Sequence, residues 1–104
     1  MLQKGKIVYE QYCLACHQVD GSGVPHLNPP LVKTSFVLGD KKSLIGIVLN
    51  GLSDVEVDGE TYSNPMPGFN FLTDEEVANV LTYVRNSFTN KATAVTIAEV
   101  KSSR

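Results

Sequence analysis

Cys13, Cys16 and His17 are the residues whose types and spacing can do chemistry, in the run Cys13-Leu14-Ala15-Cys16-His17. C-x-x-C-H predicts covalent attachment of a c-type haem. Each thiol can add to one haem vinyl group, making two thioether bonds. Two intervening residues let one turn of backbone set both sulfurs along one edge of the porphyrin. His17 then falls under the iron as its proximal ligand. Two other chemistries share part of the pattern, since a bare C-x-x-C also serves zinc sites and dithiol redox centres. The dithiol alternative expects a thioredoxin-like βαβ context, and the sequence shows none. The zinc alternative can draw only on Cys13, Cys16, His17 and His26. Adjacent Cys16 and His17 fit poorly around one tetrahedral ion.

The second chemical stretch is Asn64-Pro65-Met66-Pro67-Gly68-Phe69. Met66 is the only methionine besides Met1 and stands between two prolines. A thioether is a soft, neutral donor suited to iron(II). Met66 is therefore read as the second axial ligand, held by a stiffened loop that leads into the last helix. The plainer alternative is a methionine filling a core gap. His26 lies in a glycine- and proline-rich loop and is read as a solvated side chain.

The elements that must position these groups follow from periodicity. Residues 3–12 predict a helix, with Gly5, Val8, Tyr9 and Tyr12 on one face. Gly5 is a poor helix former, so it marks either a close approach of another backbone or a frayed first turn. The helix runs straight into the cysteine motif. Residues 18–33 predict a loop. Its Asn28-Pro29-Pro30-Leu31 segment is extended, because residues before proline avoid the α region. A carbonyl there suits the free ring N–H of a ligating histidine. Lys41–Asn50 predicts a deeply buried helix, apolar over half its circumference, with Asn50-Gly51 as an αL-type stop. Lys41 and Lys42 stand at the unfavourable end of its dipole, and the sequence explains neither. Period-2 alternation over residues 54–62 suggests a short β-hairpin with an acidic rim. Its Asp54 opening resembles a calcium loop, but Pro65 stands where the bidentate Glu is needed, so calcium of that kind is rejected. Thr73–Phe88 gives the clearest helix, with a capping box at Thr73 and Glu76 and an apolar stripe of Val77, Val80, Leu81, Val84 and Phe88. Residues 89–104 predict a surface tail with one short helix over 97–102.

At 104 residues the chain fits one domain, 1–104, with a core of 1–88 and a tail of 89–104. Its net charge of −2 argues against a nucleic-acid partner. No apolar run is long enough for a transmembrane segment. Met1-Leu2-Gln3 carries no export signal, although bacterial haem c attachment happens outside the cytoplasm. A mature form or an excised domain, periplasmic or otherwise extracytoplasmic, is expected, as is a monomer.

Across residues 3–88 the chain resembles the class I cytochromes c. The family's N-terminal glycine and aromatic, one turn apart, are matched by Gly5 and Tyr9, and its C-terminal apolar–tyrosine pair by Val80 and Tyr83. The resemblance implies an all-α fold, three main helices and loops around one haem, with the first and last helices crossing at Gly5. It implies that the Pro29 carbonyl accepts from His17, and that Met66 is the distal ligand. Pro-Pro-Leu, the Asn50-Gly51-Leu52 stop, Val-Asp-Gly-Glu-Thr-Tyr and Met-Pro look like the subgroup found as domains of larger oxidoreductases, quinoprotein dehydrogenases and copper nitrite reductases among them. An acidic hairpin stands here where many soluble carriers have a lysine-rich ring. The function expected is one-electron transfer by a haem c held by Cys13 and Cys16 and ligated by His17 and Met66. The alternatives are a haem c peroxidase or small-ligand sensor in which Met66 dissociates, and a haem-free zinc or dithiol module.

Overall fold

The computed structural model describes residues 2–53 and 55–104. Six helices follow one another among these: α1 Leu2–Tyr12, α2 Leu14–His17, α3 Ser35–Leu38, α4 Lys41–Asn50, α5 Asp74–Arg85 and α6 Ile97–Ser103. Among the described residues, extended pairing is confined to three isolated bridges, Val24 with Asn28, Leu52 with Met66, and Val57 with Glu60. The fold is mostly helical, with α1, α4 and α5 as its long helices.

Helices α1 and α5 pack most extensively against each other. Gly5 is buried at that contact. A Cβ built there would meet the Asn79 carbonyl and lie 2.7 Å from the Cβ of Tyr83, so only glycine allows the approach. Around it Tyr9, Tyr83 and Phe88 form an aromatic cluster, with centroids 5.3–5.8 Å apart. The Tyr9 hydroxyl donates to the Gln18 carbonyl at 2.6 Å, which fixes the chain just past the cysteine motif. Tyr9 is almost fully buried, and that desolvation raises its phenol pKa.

Helix α5 starts as expected: Thr73 and Glu76 form a complete capping box. Its stripe of Val77, Val80, Leu81 and Val84 is buried. The helix ends at Arg85 rather than at Phe88. Side-chain amides take the last carbonyls, Asn86 donating to Thr82 O and Asn90 to Val84 O. Phe88 and Thr89 then take positive φ, +56° and +66°. Phe88 still reaches the aromatic cluster, but from a loop. Arg85 is itself buried, donating to the carbonyls of Thr93, Val37 and Gly39 and to the Thr93 hydroxyl. It joins α5 to α3 and to the tail.

The last segment does more than cover the surface. Helix α6 carries a second complete capping box at Thr96 and Glu99, but Val95 and Val100 lie in the same core cluster as Val77 and Leu44. The α6 helix also explains Lys41: its ammonium reaches Glu99 at 2.8 Å and donates to the Ala94 carbonyl. The N-terminal end of α4 is capped by Asp40, whose carboxylate accepts from the Ser43 N–H and hydroxyl.

The hairpin expected over 54–62 reduces to one residue pair. Val57 and Glu60 exchange two backbone bonds around Asp58-Gly59, both at positive φ. That is the geometry of a two-residue hairpin turn. No ladder continues it among the described residues, and Asp54 lies outside them. The alternation also fails on one face: Val57 is buried while Val55 is exposed. Nor is Asp58 a free rim charge. It accepts from the Ser35 N–H and hydroxyl, pinning the turn to the start of α3, and these bonds lower its pKa.

Candidate functional site

A cleft lies among α2, α3, α4 and α5. Its wall is apolar, with Leu31, Phe36, Leu44, Ile47, Val48, Leu52, Leu81 and Val84, and none of its lining residues is Asp, Glu, Lys or Arg. Cys13, His17, Pro29 and Met66 are also on that wall. An adjoining cavity shares these four and Phe69, and adds Tyr12, Cys16, Asn28, Asn64, Pro65 and Pro67. The residues read from two distant stretches of sequence are thus together at one slot. His26 lines neither cavity; it is exposed, on the separate surface hollow with Glu60 and Tyr62.

The short helix α2 orients the cysteine motif. Cys13 N–H donates to Tyr9 O, and His17 N–H to Cys13 O, so helical hydrogen bonds link the motif to the end of α1. Cys16 is exposed and Cys13 partly covered. Burial, with Cys16 beside it, pushes the Cys13 thiol up to about 11. A redox dithiol needs a lowered thiol pKa. No group of three His, Cys, Asp or Glu among the described residues is placed to hold a metal ion. Both observations count against the dithiol and zinc alternatives.

His17 is 8% exposed, and its Nδ1 lies 2.8 Å from the Pro29 carbonyl oxygen. A carbonyl only accepts, so Nδ1 carries the proton and Nε2 keeps its lone pair. Burial lowers the imidazole pKa, and the bond to Pro29 opposes that shift. A neutral ring with a fixed tautomer is what metal ligation requires. The loop reaches this position because Gly23 N–H bonds to His17 O, and Leu31 N–H to Gly21 O.

Met66 is held differently from the sequence expectation. Its segment is anchored on the C-terminal end of α4 rather than on the last helix. Met66 and Leu52 exchange two backbone bonds, 2.8 and 3.0 Å, and Phe69 N–H donates to Val48 O at 2.7 Å. Gly51 makes room, since a Cβ there would lie 2.5 Å from Met66 O. Its φ of +86° with ψ of −179° is not the αL stop expected. The extended ψ is what carries Leu52 alongside Met66.

Sequence reasoning missed a polar strap at the slot. Asn28 Nδ2 donates to Cys16 O, Asn64 Nδ2 donates to Asn28 Oδ1, and Asn64 N–H donates to Leu27 O. It ties the Met66 segment to the Pro29 segment. Only the asparagines' position beside prolines could have signalled it.

Comparison with known proteins agrees with this slot. The family model described as Cytochrome c matches residues 2–88. This chain belongs to the cytochrome c family. It is 40% identical to the gluconate 2-dehydrogenase cytochrome c subunit of Pantoea cypripedii, over 98% of this chain and 24% of that protein. It is 37% identical to cytochrome c-552 of Thermus thermophilus, over 81% of this chain and 67% of that one. It is 36% identical to the cytochrome c subunit of the quinone alcohol dehydrogenase of Gluconobacter oxydans, over 85% of this chain and 19% of that protein. The chain thus spans about a quarter or less of the two dehydrogenase subunits.

As a family member the cytochrome carries one haem c, bound through Cys13 and Cys16, and it is an electron carrier rather than an enzyme. The residues present fit that group: an apolar, charge-free slot, two cysteines at its edge and an imidazole with a free nitrogen. Bound there, the haem supplies a one-electron iron couple. The protein's own part is to exclude water with the α4 and α5 side chains and to fix the donors.

Proposed function

We propose that His17 and Met66 are the two axial ligands in this cytochrome and that Pro29 orients His17. The single observation that carries this reading is that both side chains border the same slot, His17 with Nδ1 already engaged. Two protein ligands leave no open position for a substrate, which disfavours the peroxidase and sensor alternatives. Met66 is neutral, so it binds without losing a proton, unlike the lysines. A thioether also favours the ferrous state and a higher potential than a second imidazole would.

The cytochrome works as one unit, 1–104, and as a monomer. Its redox partner is another redox protein or an oxidoreductase domain; two of the relatives above are named as cytochrome c subunits of dehydrogenases, which supports a dehydrogenase in that role. Its place is the periplasm or another extracytoplasmic space. None of its helices among the described residues is long and apolar enough to cross a membrane.

Substitution tests the ligand pair. Met66→Ala opens the sixth position, lowers the potential and removes the far-red sulfur-to-iron band of the oxidised spectrum. His26→Ala leaves both nearly unchanged. Loss of low-spin character in His26→Ala, with Met66→Ala unaffected, would replace this pair with two histidines.

A further inference from the structure

Asn90 is buried, 6% exposed, and lies outside the walls of the slot. Its side-chain amide is fully used. Nδ2 donates to the Leu31 carbonyl at 2.8 Å and to the Val84 carbonyl at 2.9 Å, and Oδ1 accepts from the Lys33 N–H at 2.6 Å. Closing the end of α5 needs the Val84 bond alone. The other two bonds span 59 and 57 residues and join α5 to the end of the Pro29 segment. The backbone is strained to make them. Lys33, Phe88 and Thr89 have φ of +50°, +56° and +66°, and for a β-branched threonine that is a true outlier. Strain of this kind persists only where the surroundings hold it, and it gathers at functional sites.

The segment that Asn90 holds is stiff. Pro29 and Pro30 have fixed φ and no N–H, so neither can donate a bond that would anchor it. Leu31 is the next residue with both groups. Its N–H donates to the Gly21 carbonyl at 2.7 Å, and its carbonyl accepts from Asn90. Bonds from Gly23 to the His17 carbonyl and between Val24 and Asn28 close this loop on α2 and on itself. Asn90 ties it to α5. Two successive prolines carry that anchoring to the Pro29 carbonyl, which faces His17 Nδ1 at 2.8 Å.

We propose that Asn90 is a positioning residue for His17: it fixes the Pro29–Leu31 segment against α5 and so sets the strength of the bond from His17 Nδ1–H to the Pro29 carbonyl. A strong bond there makes the imidazole a more basic donor, which favours the ferric state and lowers the potential. A slack segment weakens the bond and raises the potential. The effect on potential rests on the ligation of iron by His17 proposed above. The effect on the hydrogen bond does not.

The test follows hydrogen exchange of His17 Nδ1–H by NMR in the reduced holocytochrome, beside the backbone amides of α5, and measures the potential of the same samples. Asn90→Leu keeps the size and removes all three bonds. Asn90→Ala leaves room for water at the same groups and is the variant to use if leucine does not fold. In either, Nδ1–H should exchange about tenfold faster relative to the α5 amides, as loss of one buried hydrogen bond allows. The ferrous-to-ferric ratio at a fixed electrode potential should rise roughly threefold, since the ligand has become less basic. Thr82→Val is the control. It removes the two bonds between the Thr82 hydroxyl and Val95, which hold the tail to α5 without touching Leu31. It should speed Nδ1–H and the α5 amides alike and leave the potential unchanged. Nδ1–H in step with the α5 amides in the Asn90 variants, at an unchanged potential, would reduce Asn90 to a helix cap and overturn the proposal. So would a shift in Thr82→Val as large as in the Asn90 variants. A wild-type His17 ring without the upfield shift that an overlying haem imposes would overturn the ligand reading instead, and the exchange comparison would still judge Asn90.

Discussion

Gly51 separates ligand positioning from folding more cleanly than any ligand does. Its φ is +86°, and a Cβ would press on the Met66 carbonyl that Leu52 N–H holds. Gly51→Ala should lose more than about 1 kcal/mol, because alanine is strained at positive φ. The far-red band of the oxidised protein should fade on heating before the helical circular dichroism does. Coincident loss of both signals would mean that Gly51 serves general stability alone. At this scale the sequence was most legible where chemistry resides in residue type and spacing, as in Cys13, Cys16 and His17. The Asn28–Asn64 bond was illegible because it joins positions 36 apart, and only the loop paths bring them together. The Pro29 acceptor came into view by resemblance, since any carbonyl of that extended segment could have served.

Among the elements, the α1–α5 crossing bears the sharpest test. Gly5→Val should destabilise by roughly 1–3 kcal/mol in denaturant unfolding, as overpacking does. On an exposed helix face the same change would be neutral or mildly favourable. The α4–α6 contact has a pH signature. The Lys41 ammonium, aided by the Thr96 N–H, holds Glu99 at about 2, against 4.5 for the free side chain. A carboxylate with a depressed folded-state pKa contributes stability that is complete above the unfolded value. That contribution is lost as pH falls from about 4.5 toward 2. Glu99→Gln should remove part of the decline in melting temperature in that window and leave the slope above it unchanged. Asp20, Asp40 and Asp58, also lowered by hydrogen bonds, account for a further share of the decline. Helices α1, α4 and α5 were legible because a buried stripe imposes its period on the sequence. The end of α5 was not, because Phe88 keeps the stripe's spacing while Asn86 and Asn90 close the helix beneath it. The pair at Val57 and Glu60 imitated a hairpin because Asp58-Gly59 sets a turn regardless of what the flanks do.

For the whole molecule, charge has been moved away from the slot rather than removed from the protein. The described ion pairs, Lys4–Glu75, Lys41–Glu99 and Asp74–Arg104, involve only α1, α4, α5, α6 and the C-terminal residue. The acidic rim expected from the sequence is partly consumed by the Asp58–Ser35 contact. Overall architecture was readable from the motif plus three helical periods. The integration of residues 89–104 was not, because Val95 and Val100 are too few to make a periodic signal.

The central claim is that one covalent haem, held between His17 and Met66, cycles a single electron without opening a coordination position. Potentiometric titration followed by the optical spectrum tests it most directly. One one-electron step is predicted, low-spin and six-coordinate at both ends, with the far-red band in the oxidised form and no response of the reduced form to carbon monoxide. A high-spin reduced spectrum that shifts on adding carbon monoxide would contradict it.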